Sequence, residues 1–241
     1  MSITSYLAPD KKNLLNLLKD VDTIFKKEKN IIHKDRNTTK KIFFKNKNYV
    51  VKSFKIANPI QRLGYTFFRK PKAQRSFENS QKLIKIGINS PKPVGYFFKV
   101  KNFQVFESYY ISDFHCFDHD LVPVFDQFNN HQDLINEFIK VVIRMHENGF
   151  YHHDLTKRNV LINRYPSKLF SFVDNNRMSF QSMDLKMRME SISKLTNDIK
   201  QLLILAKYYS KNSLYNEKDC TDLILKGFYK SQRYKNAKKF F

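Results

Sequence analysis

The sequence predicts an α+β fold with two lobes, a small antiparallel β-rich N-terminal lobe with one main helix and a larger helical C-terminal lobe. Short strand-like segments dominate the first half of the chain, and segments with helical spacing of apolar residues dominate the second half. The 241 residues, 41% hydrophobic and 15% aromatic, suffice for one large domain or for two small lobes around a cleft.

Residues 1–30 are predicted to form an amphipathic helix. Apolar residues recur there at helical spacing with lysines on the opposite face, and they are Leu14, Leu17, Leu18, Val21, Ile24 and Phe25. Such a stripe can lie on a membrane surface. Packing on or beside the domain is the favoured interpretation.

Residues 31–110 form the predicted N-terminal lobe. A helix is expected over residues 72–86, and Gly87 terminates it. The strand candidates are "IIH", "KKIFF", "NYVVKSFKI", "SPKPVGYFFKV" and "FQVFESYYI", with the turn-prone "KDRN" and "KNKN" between the first three.

Residues 111–241 form the predicted C-terminal lobe, which ends in a basic tail. Residues 133–148 have helical periodicity and Gly149 supplies a stop, after which comes "FYHHDLTKRNVLIN". "LFSFVDNNR" is predicted to be a strand and a turn. The segments "LKMRMESISKLTNDIKQLLILAKYY" and "CTDLILKGFYKSQ" are predicted to be helical.

The net charge of +22 favours polyanionic partners: nucleic acid, anionic membrane surfaces or phosphate-rich ligands. A lysine-rich proteome is an alternative explanation of the same number. The longest fully apolar run has five residues, which is too short to span a bilayer. The two cysteines, Cys116 and Cys220, lie far apart in the sequence and form neither a disulfide framework nor a metal-type pair. This indicates a reducing, cytoplasmic compartment.

The loop after Gly149 contains the residues best suited to chemistry. Asp154 can orient a hydroxyl group and accept its proton, and Asn159 offers a neutral oxygen that suits Mg²⁺. A second carboxylate for the cation is available from Asp174, which follows the apolar "FSFV". The neighbouring His152 and His153 could instead bind a metal, but they have no Cys or Glu-x-x-His companion at suitable spacing.

This order of residues matches the phosphoryl-transfer template of the protein kinases, H-x-D-x-x-x-x-N followed by an aspartate after a short strand. The template also needs a lysine on a strand and a glutamate on the next helix. Lys52 in "YVVKSF" and Glu78 in "RSFENSQKL" meet those requirements. The prediction is therefore a protein-kinase-like fold with ATP and Mg²⁺ as cofactors, in which Lys52 contacts phosphates and an ion pair to Glu78 orients it.

The departures from that template indicate which kinases are excluded. No glycine precedes Gly64, so the turn "HKDRNTTK" must cover the nucleotide without a glycine-rich loop, with Lys34 or Arg36 as a source of charge. Asn175 follows the metal-binding aspartate where Phe-Gly is usual, and no A-P-E segment follows. Control by an activation loop is not expected.

From about Asn48 to Leu205, the chain resembles the bacterial lipopolysaccharide kinases, of the Kdo kinase and heptose kinase type. The resemblance rests on "VVKSFK", "KAQRSFENSQKLIKIGINSPKPVGY", "HENGFYHHDLTKRNVLIN" and "FVDNNR". That family tends to have Asp-x-x-Arg in place of Asp-Phe-Gly, which Asp174 and Arg177 match.

The resemblance implies ATP-dependent phosphorylation of a sugar hydroxyl in the lipopolysaccharide inner core, at the inner face of the bacterial inner membrane. Asp154 would be the catalytic base, with Lys157 facing the transferred phosphate. Arg177 would hold the active-site turn or a sugar carboxylate. The remaining roles are phosphate contact by Lys52, its anchoring by Glu78, and Mg²⁺ binding by Asn159 and Asp174.

Two other functions stay open. An atypical serine kinase of the RIO type also uses H-x-D-L-x-x-x-N without a full activation segment, although "RSFEN" and "GINSPKPVGY" favour the lipopolysaccharide type. A basic nucleic-acid-binding module with a decayed kinase fold would explain the charge and the aromatic residues. The intact set of kinase-type residues argues against such decay.

Overall fold

The computed structural model describes residues 2–54, 70–101, 104–163 and 169–237, and these divide into two compact units. Unit 1 contains the described residues of Met1–Lys85, Ser90–Cys116 and Asp174–Asn176. Unit 2 contains those of Ile86–Asn89, Phe117–Val173 and Arg177–Phe241. The predicted division of the chain at residues 30 and 110 stays a prediction.

Unit 1 is built on a six-stranded antiparallel sheet with the order β1-β5-β6-β4-β3-β2. Lys52 lies near the centre of this sheet, on a strand that pairs with Thr39 on one side and Tyr110 on the other. The strands are β1 (Ser2–Leu7), β2 (Ile31–Lys34), β3 (Thr38–Phe44), β4 (Lys47–Ser53), β5 (Pro93–Lys101) and β6 (Gln104–Asp113).

The N-terminal segment is not the single helix that the apolar stripe predicts. Its first residues form β1, and short helical segments follow: a 3-10 helix (Pro9–Leu14), α1 (Leu15–Lys19) and α2 (Val21–Lys27). The helix is interrupted because Leu14 and Asp20 have non-helical backbone angles. The stripe itself is buried as predicted, since Leu14, Leu17, Leu18, Val21 and Phe25 pack with strand residues in one apolar cluster.

Helix α3 (Lys72–Lys85) covers the predicted residues and is buried along the face that includes Phe77 and Leu83. Phe77 packs edge-on against Tyr96 of β5, with 5.6 Å between the ring centroids. The chain leaves the helix at Gly87, whose φ of 74° lies in the left-handed region that favours glycine. Glu78 and the following Asn79 are thereby fixed on a helix packed against the sheet.

Unit 2 is mostly helical, with two small antiparallel sheets of orders β10-β9-β7 and β11-β8. The helices are α4 (Val122–Asp126), α5 (Gln132–Glu147), α6 (Leu185–Ile192), α7 (Ile199–Lys211) and α8 (Glu217–Ala237). The strands are β7 (His119–Asp120), β8 (Phe150–His152), β9 (Val160–Asn163), β10 (Leu169–Phe172) and β11 (Met178–Phe180). Together with unit 1, this confirms the predicted α+β class.

The predicted apolar face of α5 is buried at positions including Leu134, Phe138 and Val142. Gly149 ends this helix with φ 75° and leads directly into β8. None of the described helices is both long enough and apolar enough to cross a membrane. The C-terminal residues 238–241, part of the predicted basic tail, lie outside the described residues.

Candidate active site

In unit 2, the loop between β8 and β9 contains Asp154 and Asn159, and hydrogen bonds within the loop hold these two residues close together. The Asn159 side-chain amide donates to the backbone carbonyl of Asp154 at 2.8 Å, and the Asp154 N–H donates to His152 Nδ1 at 3.1 Å. A 3-10 turn (Lys157–Asn159) closes the loop before β9 begins at Val160. These bonds use the backbone of Asp154, so its carboxylate stays available for chemistry.

The two histidines have different surroundings. His152 is fully buried, and its Nδ1 accepts the loop N–H, so this residue is part of the scaffold that supports the loop. His153 Nε2 lies 2.9 Å from Ser179 Oγ, and its backbone N–H donates to the Arg177 carbonyl at 2.9 Å. Across the described part of the chain, no cluster of three or more His, Cys, Asp or Glu side chains could hold a metal ion.

The Asp154 carboxylate forms an ion pair with Arg177, which directly precedes β11. Arg177 Nη1 is 3.0 Å from Asp154 Oδ2, and both side chains are partly exposed. The predicted base and the predicted acceptor-binding arginine are therefore direct neighbours. A guanidinium has several N–H donors, so one edge can bond to this carboxylate while other donors reach a second anion.

Lys157 contacts two residues of α4. Its ammonium lies 3.8 Å from the Asp126 carboxylate and 5.4 Å from the centroid of the Phe125 ring. Both partners belong to α4 in unit 2. The role of Lys157 facing a transferred phosphate stays a prediction, and it would require the side chain to leave these partners.

In unit 1, Lys52 is paired with Asp174. Lys52 Nζ lies 2.8 Å from Asp174 Oδ1, and both side chains are largely buried, with 18% and 24% exposure. Asp174 has φ 58°, a backbone conformation that is uncommon for a residue with a side chain. The side-chain amide of Asn176 also donates to Asp174 Oδ1, so a neighbouring side chain and a lysine together fix this carboxylate.

The predicted ion pair between Lys52 and Glu78 is not formed, although the structure describes both residues. The two Glu78 oxygens accept instead from Lys70, each at 2.8 Å, and Gln74 donates to one of them at 2.9 Å. Gln74 is one turn before Glu78 on α3, and Lys70 lies just before that helix, so both are local partners. Burial raises the pKa of Glu78, but the hydrogen bonds from Lys70 and Gln74 outweigh it, and the net pKa is below its usual value.

A buried polar cluster that the sequence analysis missed surrounds the Asp174 turn in unit 1. The Asn79 amide donates to the Asn175 carbonyl at 2.7 Å, and the Asn175 amide donates to the hydroxyls of Ser80 and Ser90, both at 3.0 Å. Arg75 Nη1 donates to the carbonyl of the next residue, Asn176, at 2.6 Å. The available signal was an asparagine directly after two of the three predicted acidic residues, at positions 79 and 175.

The donor chemistry of the site fits a magnesium nucleotide. In unit 1, Asp174 offers carboxylate oxygens, which are hard ligands of the kind that Mg²⁺ takes, and Lys52 offers an ammonium that can face phosphate oxygens. In unit 2, Asn159 offers an amide oxygen, because its bond to Asp154 uses only its amide nitrogen. Mg²⁺ usually keeps several waters and substrate phosphates as ligands, so neither unit needs to supply a complete set.

Comparison with solved structures shows that the fold is of the two-lobed protein-kinase-like type. WaaP, solved in complex with acyl carrier protein, superposes with a TM-score of 0.65 over 97% of this chain and 99% of that chain, at 16% sequence identity. No protein-family model matches the chain. No curated protein matches it in sequence either. The similarity is therefore one of fold.

Proposed function

We propose that this protein is an ATP-dependent phosphotransferase that phosphorylates a sugar hydroxyl, of Kdo or heptose, in the lipopolysaccharide inner core. The observation that carries the proposal is the pairing of Lys52 with Asp174 in unit 1, combined with the Asp154–Asn159 loop in unit 2. Both occur in the chain order of the protein-kinase template, on a protein-kinase-like fold.

In this proposal the unit 1 residues bind the nucleotide. Lys52 would exchange its bond with Asp174 for the phosphate oxygens of ATP, which leaves the Asp174 carboxylate for Mg²⁺. The bound Mg²⁺ neutralises charge on the phosphates. Glu78 would act through α3, where its present partners are Lys70 and Gln74.

The unit 2 residues would act on the acceptor. Asp154 would orient the sugar hydroxyl and accept its proton, and Asn159 would contribute its amide oxygen to Mg²⁺. Arg177, which touches the Asp154 carboxylate, would hold an anionic group of the acceptor beside the reacting hydroxyl. The side chain of Lys157 would need to turn away from Asp126 to contribute.

The acceptor class is supported by charge. A net charge of +22 suits a phosphate- and carboxylate-bearing glycolipid on an anionic membrane, where each well-placed cation contributes about 1 kcal/mol. We therefore also propose a cytoplasmic location, peripheral on the inner face of the inner membrane. The shared fold with WaaP supports the lipopolysaccharide-kinase type over the RIO type.

Transfer of labelled phosphate from ATP tests the proposal directly. The purified chain would be offered inner-core glycolipid that lacks core phosphate, a protein acceptor, or a single-stranded RNA, each with Mg²⁺. We expect label in the glycolipid only, and mass analysis then identifies the sugar. Label in the protein acceptor alone would favour the RIO-type kinase, and salt-sensitive RNA binding without ATP turnover would favour the nucleic-acid module.

A further inference from the structure

We propose that Asn79 and Asn175 are positioning residues that fix the Asp174 carboxylate where it can bind Mg²⁺. This inference rests on the proposed function and extends it to residues outside the kinase template. Both asparagines are buried, with 5% and 3% exposure, in the unit that contains Asp174 and Lys52.

The first step is that the backbone of Asp174 needs support from its surroundings. Its φ of 58° lies in the left-handed region, which is unfavourable for a residue with a side chain relative to glycine. Such a conformation persists only where surrounding contacts determine it. Lys52 contacts the Asp174 side chain, and the following residues Asn175 and Asn176, which belong to the same unit, carry further contacts.

The second step is that α3 supplies those contacts. Asn79 donates to the backbone carbonyl of Asn175, and Arg75, one turn earlier on the same helix, donates to that of Asn176. Both bonds are short, at 2.7 and 2.6 Å. Two consecutive carbonyls after Asp174 are thus held by side chains of one helix.

The third step is that the side chain of Asn175 anchors the turn from the other direction. Its amide nitrogen donates to Ser80 of α3 and to Ser90, which precedes β5, at 3.0 Å each. Tyr110 of β6 donates to the same Ser80 hydroxyl at 3.3 Å. The turn is therefore connected to the helix and to the sheet on which Lys52 lies.

The consequence is that residues of the unit that contains Lys52 fix the Asp174 carboxylate. Buried polar groups that are hydrogen-bonded in this way specify one geometry, and removal of one partner leaves the others unsatisfied. Residues that orient a metal ligand typically change metal affinity by about 10–100-fold when they are replaced. Asn79 is the best position for a test because its amide bonds to the turn and touches no proposed ligand.

The experiment measures ATP binding to the full chain by calorimetry, without acceptor, in Mg²⁺ and in EDTA. The ratio of the two dissociation constants is the factor by which Mg²⁺ strengthens ATP binding, called the strengthening by Mg²⁺ below. We expect Asn79→Ala to reduce this strengthening by about tenfold or more while ATP binding in EDTA stays within about twofold. Ser90→Ala, which removes one of the two acceptors for Asn175, should cause a smaller loss in the same direction and provides a second variant if Asn79→Ala does not fold.

Ile42→Val is the matched control. Ile42 is buried in the apolar cluster on which the N-terminal helices pack. This variant should therefore lower the melting temperature, but it removes no hydrogen bond to the Asp174 turn. Its strengthening by Mg²⁺ should equal that of the wild type. A folded Asn79→Ala protein with undiminished strengthening, or with equal losses in Mg²⁺ and in EDTA, would overturn the positioning role alone. A wild-type chain that binds no ATP would overturn the proposed function and this inference together.

Discussion

Arg177 donates a hydrogen bond to the Asp154 carboxylate, with 3.0 Å between Nη1 and Oδ2. The contact joins the residue expected to accept a proton with a cation that has several donors in a planar fork. One edge of such a fork can hold a carboxylate while other N–H groups bind a second anion. The pair therefore suggests how an acceptor that carries its own negative charge would be selected.

The first prediction concerns that selection. Arg177→Ala should lower kcat/KM for an anionic acceptor by about 10–100-fold, mainly through KM for the acceptor, because a charge-assisted hydrogen bond contributes about 1.5–3 kcal/mol. KM for ATP should change little. Steady-state kinetics with both substrates varied measures this. Arg158→Ala is the control, since Arg158 is an exposed arginine of the loop that contains Asp154, and an equal loss in that variant would point to general charge attraction.

The second prediction separates chemistry from binding at Asp154. Asp154→Asn should lower kcat by about 10²–10⁴-fold, the usual contribution of a general base, while the dissociation constant of Mg-ATP stays nearly unchanged. The loop should persist because its bonds to His152 and Asn159 use the backbone of residue 154. Turnover and calorimetric ATP binding measure the two effects. Undiminished transfer would remove the catalytic assignment.

Much of the fold and the positions of the kinase-type residues could be predicted from local patterns. Lys52 lies on a strand, Glu78 on the following helix and Asp154 on a loop between packed elements, as periodicity and turn residues indicated. Strand β1 was missed because an edge strand is specified by its partner, and Ser2–Leu7 finds that partner in β5, far along the chain.

Side-chain pairing was less predictable for a physical reason. Among 44 lysines and arginines, sequence alone cannot rank which cation reaches which carboxylate, and Glu78 pairs with Lys70 while Lys52 pairs with Asp174. The bond from Asn79 to Asn175 spans 96 residues and depends on the tertiary fold. Spacing therefore located the residues, whereas long-range packing determined their partners.

The third prediction concerns pH. Burial, with the nearby Arg188 charge, lowers the pKa of His146 to about 3, so the folded chain keeps this imidazole neutral. Between pH 3 and about 6.5 the unfolded chain binds a proton that the folded chain does not, so the free energy of unfolding falls as the pH drops through that window. The limiting slope for one proton is about 1.4 kcal/mol per pH unit.

Chemical denaturation at a series of pH values measures that slope, with His146→Gln as the comparison. Glutamine cannot titrate, but it can still bond to the Tyr209 hydroxyl, which lies 3.2 Å from His146 Nδ1. Between pH 3 and 6.5, the free energy of unfolding of the variant should depend less on pH, by about the contribution of one proton. His131→Gln is the control, since His131 is partly exposed. An unchanged slope in His146→Gln would contradict the assignment.

The fourth prediction compares two glycines that share a left-handed backbone but differ in the space around them. At Gly149, with φ 75°, an added Cβ would lie 2.8 Å from the backbone oxygen of Gln181. At Gly87, with φ 74°, the nearest atom would be Arg144 Nη1 at 3.9 Å. Gly87→Ala should therefore cost only the backbone strain, about 1–2 kcal/mol, whereas Gly149→Ala should cost a further 1–3 kcal/mol or so from overpacking. Urea denaturation of the two variants measures the difference. Equal destabilisation of the two variants would show that the Gln181 backbone can move aside.

The Gly149 variant should also lose turnover at temperatures where it remains folded, because Gly149 leads into β8 and the Asp154 loop.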